Sequence, residues 1–407
     1  MDNRPRTTDR QSPLTFEILA EEGDARAGRL TTPHGVIETP AFVPVATWAA
    51  VTSLSMEDVQ SIGAQVLIAN AYHLHLQPGE DVIHRAGGLH RFMGWGGPLM
   101  TDSGGFHIFS LGAGKEHGVG KMAPIFPGKK GGRQRGPVGK SLVKMDEDGA
   151  EFISFLDGTV HRFSPETVME IERKLGADMI FILDECTSPL HDLAYTRTAM
   201  ERTHRWALRA MDQHRKNRVN DQAIFGIVQG GAFRDLRKES ARFMASLDFD
   251  GYAVGGSLGK SKEEMYKVLE WVVPFLPANR PRHLLGIGTV DDIFQVVDRG
   301  IDLFDCVAPT LLARTGTVFA KDEEGFRIHL FNARFREDGG PIEDGCACPA
   351  CTRYSRGYLR HLFIAKEQTA VRLAALHNLH FMEEMMREIR AGIREGRLGS
   401  LKKRWMG

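Results

Sequence analysis

Eight short apolar runs, each closing in glycine or polar residues, constrain this chain more than any other feature. They are "AFVPVAT" (41–47), "QVLIANAYH" (65–73), "PLMTDSGG" (98–105), "DMIFILDECT" (178–187), "AIFGIVQGG" (223–231), "GYAVGGS" (251–257), "HLLGIG" (283–288) and "IDLFDCVAPT" (301–310). Between them lie stretches with helical spacing, such as "SPETVMEIERKLGA", with Ser164 as N-cap ahead of Pro165 and Glu166, and "SKEEMYKVLEWVVPFL". Parallel strands need crossover helices, and eight strand–helix repeats predict an α/β chain closed into a (β/α)8 TIM barrel; a doubly wound open sheet is the alternative. In a barrel, the residues that end the runs share the C-terminal mouth: Asn70, His73, Asp102, Asp184, Gln229, Gly255, Gly256 and Asp305. One aspartate after a strand is ordinarily a helix cap. Three carboxylates with a Gly-Gly pair at each of two other strand ends point to a ligand pocket that the backbone approaches closely.

Two segments depart from the repeat. An insertion at about 112–145 carries eight Lys or Arg against one Glu between residues 112 and 144. It reads as a mobile loop, either a solvated insertion or a flap that binds phosphate. Beyond about residue 320 the barrel pattern stops, which divides the chain into a catalytic barrel, 1–320, and a unit over 321–407 with a helical tail. That second unit opens with Cys346-x-Cys348-x2-Cys351, three of the chain's five cysteines. Three thiolates so close in sequence suit a tetrahedral ion, with His361, His377 and His380 as candidates for the fourth position, and a Cys3His set is a structural zinc site. The 52 basic and 52 acidic residues cancel, so any nucleic-acid contact must come from a local patch. No apolar core of signal-peptide length opens the chain and no run approaches the roughly 18 apolar residues of a membrane span, so a soluble cytoplasmic protein is expected.

Two carboxylates at a barrel mouth are the equipment of retaining glycosyl transfer, in which one attacks the anomeric carbon and the other moves the proton. Asp305 and Asp102 suit these parts. Asp184 suits the N–H and amino group on a purine edge, with Gln229 or a glycine N–H donating to the purine carbonyl. Residue spacing alone does not reach guanine. A metal-dependent barrel hydrolase is a rival, suggested by His73-x-His75, but it needs further histidines at the middle strand ends, where "VQGG" and "VGGS" stand.

"TPAFVPVAT", "ANAYHLHLQPG", "GGLHRFMGW", "MTDSGGF", "LDECT", "GYAVGGS", "LLGIG", "DLFDCVAPT" and "CACPAC…YLRHLF…HN" occur in this order from about residue 15 to 395. Together they resemble the tRNA-guanine transglycosylases, also called queuine tRNA-ribosyltransferases. The resemblance implies a (β/α)8 barrel with an inserted zinc-binding subdomain and C-terminal helices, a homodimer, and exchange of guanine at the tRNA wobble position for a 7-deazaguanine. It implies Asp305 as nucleophile and Asp102 as general acid/base. Asp184, Gln229, Gly255 and Gly256 would read the base, with Phe106 and Leu285 on its two faces. His377 would complete the zinc site with Cys346, Cys348 and Cys351, and Arg314 would contact RNA. Four places depart from the family's usual pattern: His107 stands for Gln, Ser257-Leu258-Gly259-Lys260 for "LAVGE", Leu311 for Arg and Thr289 for Lys. The first two flank the base pocket and leave queuine and 7-aminomethyl-7-deazaguanine both open. The last two remove cations from the RNA side, so a paralogue acting on a different nucleic acid, or a non-catalytic RNA-binding subunit, is the alternative.

Overall fold

The computed structural model describes residues 12–112, 143–217 and 221–406. All eight apolar runs are strands of one parallel sheet: Ala41–Pro44, Leu67–Asn70, Leu99–Asp102, Met179–Phe181, Ala223–Val228, Gly251–Val254, Arg282–Leu284 and Leu303–Cys306. From the second run to the eighth, each strand pairs with its successor in chain order, and the eighth pairs with the first, Leu303 opposite Ala41. The remaining seam, between first and second, is closed by a bridge of Val45 to Ile68, with the Ala46 N–H donating to the Ile68 carbonyl at 2.7 Å. The sheet is therefore a barrel and not an open sheet.

Within these strands every residue is buried except Asp102, Asp305 and Cys306. A parallel sheet covered by helices outside and filled by side chains inside explains the near-continuous apolar runs. It also sets apart the two carboxylates, which with Cys306 are the strand residues not fully buried.

The helices start where the sequence signals them. The Ser164 hydroxyl accepts the Thr167 N–H at 3.2 Å, Pro165 takes the first turn, and Gly176 ends the helix Pro165–Leu175 at φ +73°. Its Val168, Met169, Ile171 and Leu175 pack inward, each such side chain contributing roughly 1.5–3 kcal/mol of burial.

Two small sheets lie outside the repeat pattern. An antiparallel sheet of Thr15–Glu22, Ala25–Thr32 and Gly35–Thr39 covers the barrel floor, touching residues that precede strands. Its Arg26 holds Asp302 through two bonds, Nε to Oδ1 at 2.8 Å and Nη2 to Oδ2 at 2.6 Å, and donates to the Ala278 and Arg280 carbonyls. Asp178, also on the floor, accepts the Leu99 N–H and bonds His34 and His90, whose rings stack 3.7 Å apart. The second sheet, Val143–Met145, Ala150–Ile153 and Val160–Phe163, stands between the third and fourth barrel strands. Residues 143–145, at the C-terminal end of the basic insertion, are the first strand of this sheet; residues 113–142 of the insertion lie outside the described residues. After the barrel come the hairpin of Thr317–Phe319 with Arg327–His329 and the helices Arg356–Ile364, Gln368–Arg394 and Leu398–Met406. No described helix is long and apolar enough to cross a membrane.

The floor contact gives the first test. Asp302 is fully buried and Arg26 nearly so, so Arg26→Met strips a buried carboxylate beneath the eighth strand of both guanidinium bonds and leaves it the Arg282 N–H. We expect a loss of about 3–5 kcal/mol in chemical denaturation, against well under 1 kcal/mol for the exposed pair partner Arg29→Met.

Candidate active site at the barrel mouth

Asp305 is the next-to-last residue of the eighth strand. Its Oδ1 accepts the Gly286 N–H at 3.0 Å and bonds His283 Nε2 at 2.9 Å. His283 sits mid-strand on the neighbouring strand, paired with Leu303 and fully buried. A carboxylate acts only as acceptor, so Nε2 carries the proton. Burial pushes the thiol of neighbouring Cys306 up to about 12, so it stays protonated near pH 7.

Asp102 lies opposite Asn70 in strand register. The Asn70 amide Nδ2 donates to Asp102 Oδ2 at 2.6 Å and bonds His107 Nδ1 at 2.9 Å, while its Oδ1 caps the next helix through the His73 N–H. Asp102 Oδ1 accepts the Gly104 N–H at 2.7 Å. Burial holds the His107 imidazole down to about 4, and burial with His107 nearby does the same to His73. Both rings are therefore neutral near pH 7, and His107 Nδ1 can accept from Asn70. Tyr72 stacks on His107, its phenol pushed up to about 12 by burial. Asn70 thus couples Asp102 to an aromatic wall that includes His107, the position at which the chain departs from its expected pattern.

Asp184 and Gln229, both buried, follow the fourth and fifth strands, and Gln229 Nε2 donates to Asp184 Oδ2. Cys186 donates to the same oxygen at 3.4 Å. The glycines around this pair are sterically required. A Cβ on Gly105 would collide with Asp184 Oδ1, and one on Gly256, at φ +70°, with Gln229 Oε1. Gly255 lies under the Leu285 side chain, and its N–H is already given to the Val228 carbonyl at 3.2 Å. Gln229 Oε1 is buried without a hydrogen-bond partner among the described residues. Such a group is costly unless something donates to it. Phe106, exposed, stands at the start of the helix that follows Asp102.

Arg314 ends the exposed side of the helix Ala308–Arg314, apart from this cluster, with Leu311 also exposed there. Thr289 does not leave its region without a cation: Lys262 reaches the Thr289 hydroxyl at 3.4 Å. That ammonium is paired with Asp291 and Asp292, which hold its pKa up.

Sequence reading missed three groups at the mouth: His283, Cys186 and Arg237. Arg237 sits in the helix Arg234–Ala245 and is fully buried. It donates to four backbone carbonyls, Gly231 at 2.7 Å, Val228 at 2.7 Å, Gly255 at 3.0 Å and Ser257 at 2.6 Å. Burial pulls its guanidinium down to about 9, still a cation at neutral pH. In the sequence Arg237 looks like any helical arginine; only the fold reveals that it ties the two glycine turns together.

Away from the mouth, the Sγ atoms of Cys346, Cys348 and Cys351 lie 3.7, 3.5 and 3.3 Å from His377 Nδ1. A tetrahedral ion with bonds of about 2.3 Å to sulfur and 2.0–2.1 Å to nitrogen sets those atoms roughly 3.5 Å apart. The residues fit a metal. His377 Nε2 donates to the Phe319 carbonyl at 2.8 Å, which turns the Nδ1 lone pair to the sulfurs. Of the other two candidates, His361 is exposed on its helix and His380 faces Glu384 at 3.5 Å.

Comparison with known proteins bears on this arrangement. The family described as queuine tRNA-ribosyltransferase matches residues 21–407. A putative queuine tRNA-ribosyltransferase of Archaeoglobus fulgidus is 48% identical over 405 residues, covering 97% of this chain and 100% of the relative. Queuine tRNA-ribosyltransferases of Roseiflexus sp. and Desulforudis audaxviator are 46% and 44% identical, each over 97% of this chain and over 99% and 98% of their own.

Arg237 tests how the pocket wall is built. Arg237→Met keeps most of the volume and removes the donors of four carbonyls. We expect a loss of roughly 3 kcal/mol or more in unfolding free energy, where a surface arginine such as Arg234→Met costs within about 0.5 kcal/mol.

Proposed function

The chain belongs to the queuine tRNA-ribosyltransferase family, pentosyltransferases that modify tRNA. From that premise we propose that it exchanges guanine at the wobble position for a 7-deazaguanine, queuine or 7-aminomethyl-7-deazaguanine, through a ribosyl ester on Asp305. Asp305 attacks C1′ of the flipped-out nucleotide, the C1′–N9 bond breaks, and guanine leaves with the proton of Asp102, which enters the cycle as its carboxylic acid. Asp102 then takes the N9 proton of the incoming base, whose N9 attacks C1′ and releases the Asp305 carboxylate. Charge and protons balance over the cycle, so one pocket serves both bases.

The observation that carries this reading is that two of the three barrel-strand residues not fully buried are carboxylates, each in a donor cage, beside a buried Asp184–Gln229 pair. On binding, that pair exchanges its mutual bond for bonds to the base, Asp184 taking the N–H and amino group. Gly256 in its left-handed turn leaves room for the base carbonyl, and Phe106 and Leu285 lie on the two faces. Arg314 contacts the anticodon loop. Residues 1–320 form the catalytic barrel and 321–407 the zinc unit of a cytoplasmic homodimer. Zinc at Cys346, Cys348, Cys351 and His377 supplies structure and no chemical step.

The test is release of radiolabelled guanine from a wobble-guanine tRNA by each unlabelled base in turn. We expect release with at least one base and a fall of about 10³-fold or more for Asp305→Asn. A folded, metal-loaded protein that releases no label with either base favours a paralogue with another nucleic-acid substrate. For the metal, we expect one equivalent of zinc per chain; a chelator that strips it, or Cys348→Ser, is expected to abolish that zinc and to lower the thermal midpoint.

A further inference from the structure

We propose that His283 is a positioning residue for Asp305: it stabilises the carboxylate as a leaving group and so sets the rate of the second half-reaction. The inference rests on the reading of Asp305 as nucleophile. His283 has one polar anchor in the described structure, the bond from Nε2 to Asp305 Oδ1 at 2.9 Å. Its Nδ1 is buried without a hydrogen-bond partner among the described residues, and its ring packs edge-on against Phe181 at 5.4 Å. An apolar side chain would occupy this place between two strands without burying an unpartnered nitrogen, so packing alone does not account for an imidazole there.

The chemistry follows from which oxygen is held. Oδ1 receives both the His283 Nε2–H and the Gly286 N–H. When the C1′ bond forms through Oδ2, Oδ1 becomes the carbonyl oxygen of the ribosyl ester, still facing both donors. When N9 of the second base attacks C1′, the C1′–Oδ2 bond breaks and its electron pair returns to the carboxylate. The negative charge is then shared with Oδ1, where the two donors stabilise it. In the first half-reaction the same donors stabilise the reactant carboxylate and moderate its attack. Removing the imidazole donor therefore speeds or leaves unchanged the formation of the ester and slows its resolution.

The experiment compares wild type, His283→Phe, His283→Gln and Asp305→Asn, each loaded with zinc, for kcat, KM for tRNA, thermal midpoint and the steady-state fraction of denaturant-resistant protein–RNA adduct. For His283→Phe we expect kcat to fall roughly 10- to 100-fold, KM for tRNA not to rise, and adduct to accumulate. His283→Gln, which restores an N–H near the same place, should recover most of kcat and lose the excess adduct. An unchanged kcat in His283→Phe overturns the proposal. So does a fall in kcat without adduct accumulation, or one that tracks a lowered thermal midpoint and is not rescued by Gln. If Asp305→Asn still exchanges bases, the nucleophile reading itself fails; if it is inactive while His283→Phe matches wild type, only the role of His283 fails.

Discussion

Closure of the parallel sheet is the constraint on which everything at the mouth depends. Eight parallel strands give a common rim only if the first and last pair, and here one seam rests on a single bridge, Val45 to Ile68. The strands are three to six residues long, too short to be held by their ladders alone. The floor and tail elements supply the rest. Arg26 fastens the antiparallel floor sheet to Asp302 below the eighth strand, and Arg390 of the long tail helix donates to the Pro40 carbonyl below the first. Both anchors grip the ends of the strands that meet to close the ring.

Given a rim, the pocket is built by backbone crowding as much as by side chains. Gly105 and Gly256 let turns from the third and sixth strands press against Asp184 and Gln229 at distances that a Cβ would forbid. Turns packed so closely expose carbonyls to the interior, and Arg237 satisfies four of them from one guanidinium, whose planar fork suits divergent acceptors. The walls of this mouth thus rely on a buried cation bonded to backbone.

How far the sequence reaches follows from what each signal measures. The eight runs were legible because burial on both faces makes a parallel strand apolar throughout, and Ser164-Pro165 because a helix cap is local chemistry. The floor sheet was not: "TFEILAEE" alternates half-buried with exposed residues, a weak pattern outside the strand–helix repeat. The strands at 143–163 were hidden beside a basic, glycine-rich insertion. Asp102, Asp184, Gln229 and Asp305 are brought to the mouth as their run-end positions suggested. His283 and Arg237 escaped because what they bond is distant in sequence or is backbone. A histidine inside "HLLGIG" carries no mark of facing an aspartate 22 residues further along the chain.

The metal unit bears on the same strand. His377, whose Nδ1 faces the three sulfurs, bonds the Phe319 carbonyl, and the adjacent Asn378 accepts the Phe319 N–H and donates to the Pro309 and Thr317 carbonyls. Asn378 is fully buried with both ends of its amide used. Pro309 lies four residues beyond Asp305, in the helix that begins where the eighth strand ends. Fixing His377 on an ion therefore fixes the helix Gln368–Arg394 in rotation, and through Asn378 fixes the segment that carries the chain away from Asp305. A carboxylate whose Oδ1 must meet two donors at 2.9 and 3.0 Å tolerates little movement of its strand end. An ion held there would be remote from the mouth and would still bear on its geometry, because a buried, fully bonded asparagine joins the two.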